Sequence, residues 1–142
     1  MKKLIICCCM IISVSLLVGC NKGKISDDII VEAGESTKFS QDEIYNASKC
    51  VIDNFNFADC TLTNVWYDEE KSDFLVKGYL ENGQGSINGV DSENVIVLLS
   101  NFDVDDSGRN PVLNPNSTYT DYQWILIRDS KTSNWKIDDF GY

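Results

Sequence analysis

The sequence contains no histidine, and this absence excludes more chemistry than any residue that is present. Without imidazole there is no Ser-His-Asp or Cys-His catalytic set and no histidine-ligated zinc. There is also no side chain whose unperturbed pKa lies near neutrality. An enzyme built on this chain would depend on carboxylates, Lys, Tyr or Cys, and we recognise no catalytic set among them.

Positive charge is scarce as well, because 12 Lys and Arg residues stand against 22 Asp and Glu residues, for a formal net charge of −10. Such a surface repels polyanions, so nucleic acid is excluded as a partner. Only two prolines are present, and we find no internal repeat. A chain of 142 residues with this composition predicts a single globular domain.

The most specific motif lies near the N-terminus. Two lysines precede an uncharged, largely apolar run over residues 4–18, which is shorter than the roughly 20 residues that a transmembrane helix needs. A positive start followed by a run of this length is typical of a signal peptide. The run ends in Leu17-Val18-Gly19-Cys20, which resembles the lipobox of bacterial lipoproteins.

This resemblance implies that residues 1–19 are a cleaved signal peptide and that the Cys20 thiol carries a diacylglyceryl group. It also implies a further acyl chain, such as palmitate, on the new amino group, and two or more chains anchor a protein stably. We therefore expect a lipid anchor on the extracytoplasmic face of the cell membrane. The polar residues 20–38 are predicted to be a flexible tether, unless the Ile29-Ile30-Val31 triplet docks on the domain.

Residues 39–142 are predicted to form one α+β domain that begins with a helix over residues 39–54. Ser40 is a suitable N-cap, and Glu43 stands three residues later, which makes a capping box. Apolar residues from Ile44 onward then recur at helical spacing. This helix is the only one that the sequence predicts.

After the helix the apolar period changes to two, which predicts strands. The predicted strands are residues 60–67, 73–81, 94–102, 119–129 and 134–140, with a charged turn at 68–71 and a long loop at 103–118. One helix face and one sheet face must bury each other, so we expect the N-terminal helix packed on a curved antiparallel sheet of about five strands.

This order of elements resembles cystatin-like and NTF2-like domains. The motifs Trp124-Ile125-Leu126-Ile127-Arg128 and Trp135-Lys136-Ile137-Asp138-Asp139-Phe140-Gly141-Tyr142 are similar to those of uncharacterised small lipoproteins of Gram-positive bacteria. The resemblance implies a fold and a location, and it brings no catalytic residues with it.

The strongest candidate for a metal site is the acidic segment that begins at Asp103. Asp103, Asp105, Ser107 and Gly108 match the first half of an EF-hand loop, because Ca²⁺ takes several oxygen ligands from one short segment. The twelfth position is Asn114, where an EF-hand has a bidentate Glu. Ca²⁺ is thus the one cofactor to consider, and an ordinary solvated acidic loop is the alternative.

Two thiols remain after the signal peptide and the lipidated cysteine are set aside, those of Cys50 and Cys60. An extracytoplasmic compartment permits a disulfide between them, which would close a loop of about ten residues and add roughly 2–3 kcal/mol. Two buried free thiols are the alternative. A catalytic role is not expected, because no histidine is present to activate a thiolate.

Three functions remain open on these observations. The favoured hypothesis is a tethered, non-catalytic domain that binds a ligand or a protein partner at the cell envelope. The second is a carboxylate-dependent envelope hydrolase, which requires two carboxyl groups about 5–10 Å apart, one with a raised pKa. The third is a structural or accessory lipoprotein of an envelope complex.

Overall fold

The computed structural model describes residues 22–142, so the predicted signal peptide, the lipobox and Cys20 lie outside the described residues. No helix in this range is long and apolar enough to cross a membrane. The elements follow in the order β1 (Lys24–Glu32), α1 (Gln41–Asn54), β2 (Cys60–Trp66), α2 (Glu69–Asn82), α3 (Gly85–Asn88), a 3₁₀ turn (Ser92–Asn94), β3 (Val95–Val104), β4 (Thr118–Ile127) and β5 (Lys136–Gly141).

The five strands form one sheet in the order of the sequence, β1-β2-β3-β4-β5. β1 runs parallel to β2, and α1 connects them, whereas the other neighbours are antiparallel. The prediction of an α+β fold with about five strands is confirmed. The prediction that the sheet is antiparallel throughout is wrong, because a βαβ unit opens the domain.

β1 lies within residues 20–38, which the sequence predicted as a flexible tether. Val31 pairs with Val65 of β2, and the side chains of Ile25 and Ile29 pack against the core. The prediction of a flexible tether is therefore wrong for this segment. The structure shows the alternative, in which the segment docks on the domain. Because β1 precedes α1, the prediction of an N-terminal helix is wrong as well. A register irregularity within β1 interrupts its apolar alternation, which hides the strand in the sequence.

α1 begins as its capping box predicts. The Glu43 backbone N–H donates to the Ser40 hydroxyl at 3.2 Å, and the Ser40 backbone N–H donates to the Glu43 carboxylate at 2.8 Å. Ile44, Ala47 and Val51 are fully buried against the sheet. Two of the otherwise unpaired amides at the start of the helix are thus satisfied locally.

α2 occupies the residues for which a charged turn and a strand over 73–81 were predicted, and that prediction is wrong. The Asp68 side chain caps the helix, and the glutamates of the first turn suit the positive end of its dipole. Val76 and Tyr79 are buried at helical spacing, whereas Phe74 is 77% exposed. Over so short a segment, the spacing of apolar residues fits both the helical period of 3.6 and the strand period of two, so the sequence pattern alone was ambiguous.

β3 is buried on both of its faces, and a helix covers each one. Ile96, Leu98 and Phe102 face the larger core beneath α1, and Val95 and Val97 face the smaller core beneath α2. Since β2 ends opposite the middle of β3, the first half of β3 has no strand beside it on that edge. α2 lies there, and its Ser72 hydroxyl accepts the Val97 backbone N–H at 3.1 Å.

Candidate functional site

A cleft of about 520 Å³ lies at the end of the sheet where β3 begins, between α2 and the segment that leads into α1. Its apolar wall comes from Phe39, Val76, Leu80 and Val95, and Arg128 lines it just after the end of β4. We call this cavity the Arg128 cleft. A largely apolar cavity with a few convergent polar groups is the usual form of a small-molecule site.

Basic residues are concentrated in the Arg128 cleft, although the chain has few of them. Ten of the basic residues and all 22 acidic residues lie within residues 22–142. The cleft is lined by four of those ten, namely Lys38, Lys77, Arg128 and Lys131, and by three of the 22, namely Asp73, Glu81 and Glu93. Its local balance is thus +1, while the chain as a whole carries −10.

The Arg128 side chain is only 3% exposed and is held on several sides. Nη1 donates to the Glu43 carboxylate at 2.7 Å, and Nε donates to the Asn94 side-chain oxygen at 3.2 Å. Backbone carbonyls of Glu93 and Lys131 accept from the two terminal nitrogens at 3.3 and 3.4 Å. A buried cation of this kind requires such pairing, because an isolated one is very costly to desolvate.

Aromatic rings complete the setting of Arg128. Its guanidinium carbon lies 4.4 Å from the Trp135 ring centroid and 5.8 Å from that of Phe39. Trp135 is itself fixed, because its indole N–H donates to the Glu43 backbone carbonyl at 3.1 Å. The guanidinium is therefore immobile, and the positive charge at the back of the cleft has a fixed position.

Glu43 is ionised by the same arrangement. Burial favours the neutral acid, but the Ser40 backbone N–H and the Arg128 guanidinium donate to the carboxylate and outweigh it. The pKa of Glu43 is consequently lowered from its ordinary value. One carboxylate thus caps α1 and also neutralises the buried arginine.

The three lysines of the cleft are far less constrained. Lys38 pairs with Asp73, and Lys77 lies 4.0 Å from Glu81, but all four side chains are between 42% and 73% exposed. Lys131 forms no ion pair with any of residues 22–142. Exposed ion pairs are worth only about 0–1 kcal/mol, so these ammonium groups can change partners at little cost.

The predicted calcium segment lies at the opposite end of the sheet and is occupied by other contacts. The Thr118 hydroxyl donates to Asp103 at 2.6 Å, and the Ser107 backbone N–H donates to Asp105 at 3.0 Å. Donors from Ser107 lower the pKa of Asp105. Arg109 approaches Asp105 to 3.8 Å. No three His, Cys, Asp or Glu side chains of the described chain lie close enough together to hold a metal ion, so the structure gives the Ca²⁺ hypothesis no support.

Cys50 and Cys60 are both free thiols, so the disulfide alternative is not formed. Cys60 is 1% exposed and donates to the Ala58 carbonyl at 3.4 Å. Burial and the neighbouring acidic groups raise the pKa of Cys60 to about 11. Burial also raises the pKa of Cys50. Neither thiol has the electropositive surroundings of a reactive cysteine.

Aromatic side chains gather at the end of the sheet opposite the cleft, which we call the aromatic end. Phe57 stacks on Trp124 with ring centroids 5.5 Å apart, and Phe102 stacks on Tyr119 at 5.2 Å. Gly23 lies against this cluster so closely that an added Cβ would stand 2.8 Å from the Phe57 backbone nitrogen. The described chain therefore starts at the aromatic end.

The aromatic end and the Arg128 cleft are separated by the length of the sheet. Val95 lines the cleft and is the first residue of β3. Near the other end of β3, Asp103 pairs with Thr61 of β2, and Thr61 pairs with Lys24 of β1. Eight residues of antiparallel strand correspond to roughly 25 Å. The start of the described chain and the cleft thus face opposite directions.

Among residues 22–142, none of the candidate site residues named from the sequence lines the cleft. Its members come from segments as distant as Lys38 and Lys131, which only the folded sheet brings together. One signal in the sequence did point there. Arg128 is one of only two arginines and directly follows an apolar strand, a position in which a charged side chain needs a specific partner.

Comparison with known proteins gives a family but no activity. No curated protein and no solved structure matches the chain. Residues 36–141 match the family described as a domain of unknown function, DUF4829. That range includes α1, α2, the strands β2 to β5 and every residue of the Arg128 cleft, and it leaves β1 outside. The chain belongs to the DUF4829 family.

Proposed function

We propose that the protein is a lipoprotein anchored through Cys20 to the extracytoplasmic face of the cell membrane, in a Gram-positive bacterium. Its domain acts as a non-catalytic binding domain, and the Arg128 cleft is the binding site. The fold of this domain is proposed to be cystatin-like or NTF2-like, with the sheet curved around α1.

One geometric observation supports the proposal above the others. Gly23 packs against Phe57 at the aromatic end, and it lies only three positions after Cys20, a span of at most about 11 Å. A lipid on Cys20 would therefore hold the aromatic end close to the bilayer. The Arg128 cleft, roughly 25 Å away at the other end of the sheet, would face outward. An anchored binding domain requires this orientation.

The charge states of the carboxyl groups favour binding over hydrolysis. A carboxylate-dependent hydrolase needs one acid whose pKa is raised so that it can donate a proton. The pKa values of Glu43, Glu69 and Asp105 are lowered, which is the opposite of what such an acid needs. These three groups therefore do not support the hydrolase alternative.

A structural or accessory role is the second candidate, and one surface favours it. Phe140, in the edge strand β5, is 51% exposed, and Tyr142, just after that strand, is 71% exposed. An unpaired strand edge with exposed aromatic side chains is a surface on which another chain can dock. Loss of a co-purifying partner from Phe140→Ser protein, with the cleft intact, would favour this role.

The anchor is tested by metabolic labelling of the full chain with radioactive palmitate, in parallel with Cys20→Ala. We expect label and membrane association in the parent and neither in the variant. Label that persists in Cys20→Ala would overturn the anchor.

The binding site is tested separately by fragment screening with amide NMR on residues 21–142, which contain the whole sheet and both cores. Shifts should concentrate at Asn94, Val95 and Lys131 in the cleft. Fragment contacts spread evenly over the surface, with none concentrated at the cleft, would overturn the binding role.

A further inference from the structure

The Arg128 cleft combines a fixed guanidinium donor, flexible lysine side chains and an apolar wall, and each of these selects for a part of a ligand. We infer that it binds an amphipathic anion: one carboxylate or phosphate group joined to an apolar body. This inference rests on the proposed binding role of the cleft and names the ligand class.

The first step concerns the distribution of charge. The chain is strongly acidic, yet four of the ten basic residues between positions 22 and 142 line one cleft. A concave site with low-dielectric walls focuses the field of such groups and raises the local concentration of counter-ions. Three acidic residues also line the cleft and Glu43 balances Arg128, so the cleft is close to neutral, and an anion is repelled less there than by the rest of this acidic surface.

The second step concerns the donors on Arg128. A guanidinium has five N–H groups, and acceptors from Asn94, Glu43, Glu93 and Lys131 occupy four of them. One N–H on Nη2 remains, and Arg128 lines the cleft whereas Glu43 does not. Glu43 balances the charge of Arg128, so Arg128 contributes to the cleft wall one N–H donor for which no acceptor is found among residues 22–142.

The third step concerns the lysines. Lys131 has no ion-pair partner within the described chain, and the partners of Lys38 and Lys77 are exposed acidic residues. Three ammonium groups on flexible stems can therefore turn toward one anionic group at small cost. Lysines bind phosphate and carboxylate as point charges and impose no planar geometry, so either headgroup satisfies them.

The fourth step concerns the apolar wall. The apolar wall, formed by Phe39, Val76, Leu80 and Val95, makes no favourable contact with a small inorganic anion. It favours the binding of an apolar body, because the apolar surface of that body is then removed from water. The volume of about 520 Å³ falls in the range of single small-molecule sites. A ligand with both parts is therefore favoured over either part alone.

Titration calorimetry of residues 21–142 with matched probes tests the inference. The probes are octanoate, octyl phosphate, octanol and octylammonium, with acetate and inorganic phosphate as headgroups without a tail. We expect octanoate or octyl phosphate to bind at least ten-fold more tightly than octanol, and octylammonium and the tailless anions to bind least. The stronger of the two anionic amphiphiles identifies the headgroup.

Variants connect that binding to the cleft. Lys131→Met should weaken the anionic amphiphiles about three- to ten-fold and leave octanol unchanged. Lys49→Met is the matched control, because Lys49 is an exposed lysine on α1 outside the cleft, and it should change nothing. Arg128 is left intact because its contacts hold the fold.

The outcomes separate this inference from the proposed function. Equal binding of octanol and octanoate, or no binding of any probe while fragments still occupy the cleft, overturns the anionic ligand class and leaves the binding role standing. Anion binding that responds equally to Lys49→Met and Lys131→Met overturns the assignment to this cleft. Fragment contacts confined to other surfaces overturn both proposals.

Discussion

The two arginines of the chain lie at opposite ends of the sheet and differ in burial. Arg128 is 3% exposed and pairs with Glu43, which is 20% exposed. Arg109 is 61% exposed and pairs with Asp59 at 2.8 Å. Both ion pairs have short distances, so distance does not distinguish them. Burial does, because a buried charge that loses its partner cannot turn to water.

The two arginines also hold different kinds of segment. Arg128 joins β4, the 3₁₀ turn and the turn after β4 through side-chain and backbone acceptors, and thereby shapes the cleft. Arg109 fastens the long loop between β3 and β4 to Asp59, which precedes β2 with a φ of 62°. Arg128 is thus part of the interior, whereas Arg109 connects two segments at the surface.

Arg128→Ala is expected to have the largest effect. The variant leaves the Glu43 carboxylate and the acceptors around it without their cation and opens a space beside Trp135. Removing one member of a buried ion pair costs about 3–5 kcal/mol in unfolding free energy. Urea unfolding of residues 21–142 at neutral pH, followed by tryptophan fluorescence, measures the loss.

A double variant shows whether charge or packing is responsible. Arg128→Met combined with Glu43→Leu replaces both ions with apolar side chains, which is often neutral for a buried pair. Because Glu43→Leu also removes the acceptor of the Ser40 backbone N–H, we expect the double variant to lose about 1–2 kcal/mol in unfolding free energy, clearly less than Arg128→Ala loses. A double variant as unstable as Arg128→Ala would show that the hydrogen bonds to Asn94 and the backbone carry the stability instead.

Acid should weaken the Arg128 end selectively. The pKa of Glu43 is lowered in the folded state, so its contribution to stability is complete above the unfolded value of about 4.3. That contribution is lost as the pH falls through the folded pKa. Glu43→Gln should lower unfolding free energy at neutral pH by about 1–3 kcal/mol and flatten its decline toward pH 3. An unchanged acid slope in the variant would assign the decline to other carboxylates.

The parts of this fold that could be predicted are those that depend on neighbours in the sequence. Ser40 and Glu43 cap α1 within one turn, and the alternation in β4 reflects its own two faces. The sequence did not predict β1 and α2, because contacts with distant segments determine their structure. β1 is a strand because it pairs with β2, and α2 packs beside the half of β3 that β2 does not cover.

The cleft could not be predicted for the same reason. Lys38 and Lys131 are 93 positions apart in the sequence, and each one alone is an ordinary exposed lysine. The acidic segment that begins at Asp103 predicted a metal site, because residues that can bind a metal ion lie close together in the sequence there. In the folded chain, Thr118, Ser107 and Arg109 occupy those carboxylates.

Ser72→Ala is expected to have an intermediate effect, at neither arginine. The Ser72 hydroxyl accepts the Val97 backbone N–H, and both groups are buried. Without it the amide has no acceptor, which costs about 1–3 kcal/mol. Ser86→Ala is the matched control, since its hydroxyl donates to the Gly83 carbonyl at an exposed site where water can replace it. Equal losses in the two variants would show that α2 does not depend on the bond to β3.

Arg109→Ala is expected to have the smallest effect and completes the comparison. The Arg109 side chain is 61% exposed, so water and salt already screen its pairs with Asp59 and Asp105. We expect a loss of about 1 kcal/mol or less, which shrinks further at 1 M salt, where the Debye length is about 3 Å. Ligand binding in the Arg128 cleft, roughly 25 Å away along β3, should not change. The Asp59 side chain is only 5% exposed, so the size of the loss also tests how far its burial governs the pair. A loss above 3 kcal/mol that salt does not reduce would mean that the burial of Asp59 governs the pair, and the two arginines would then be equivalent in spite of their different exposure.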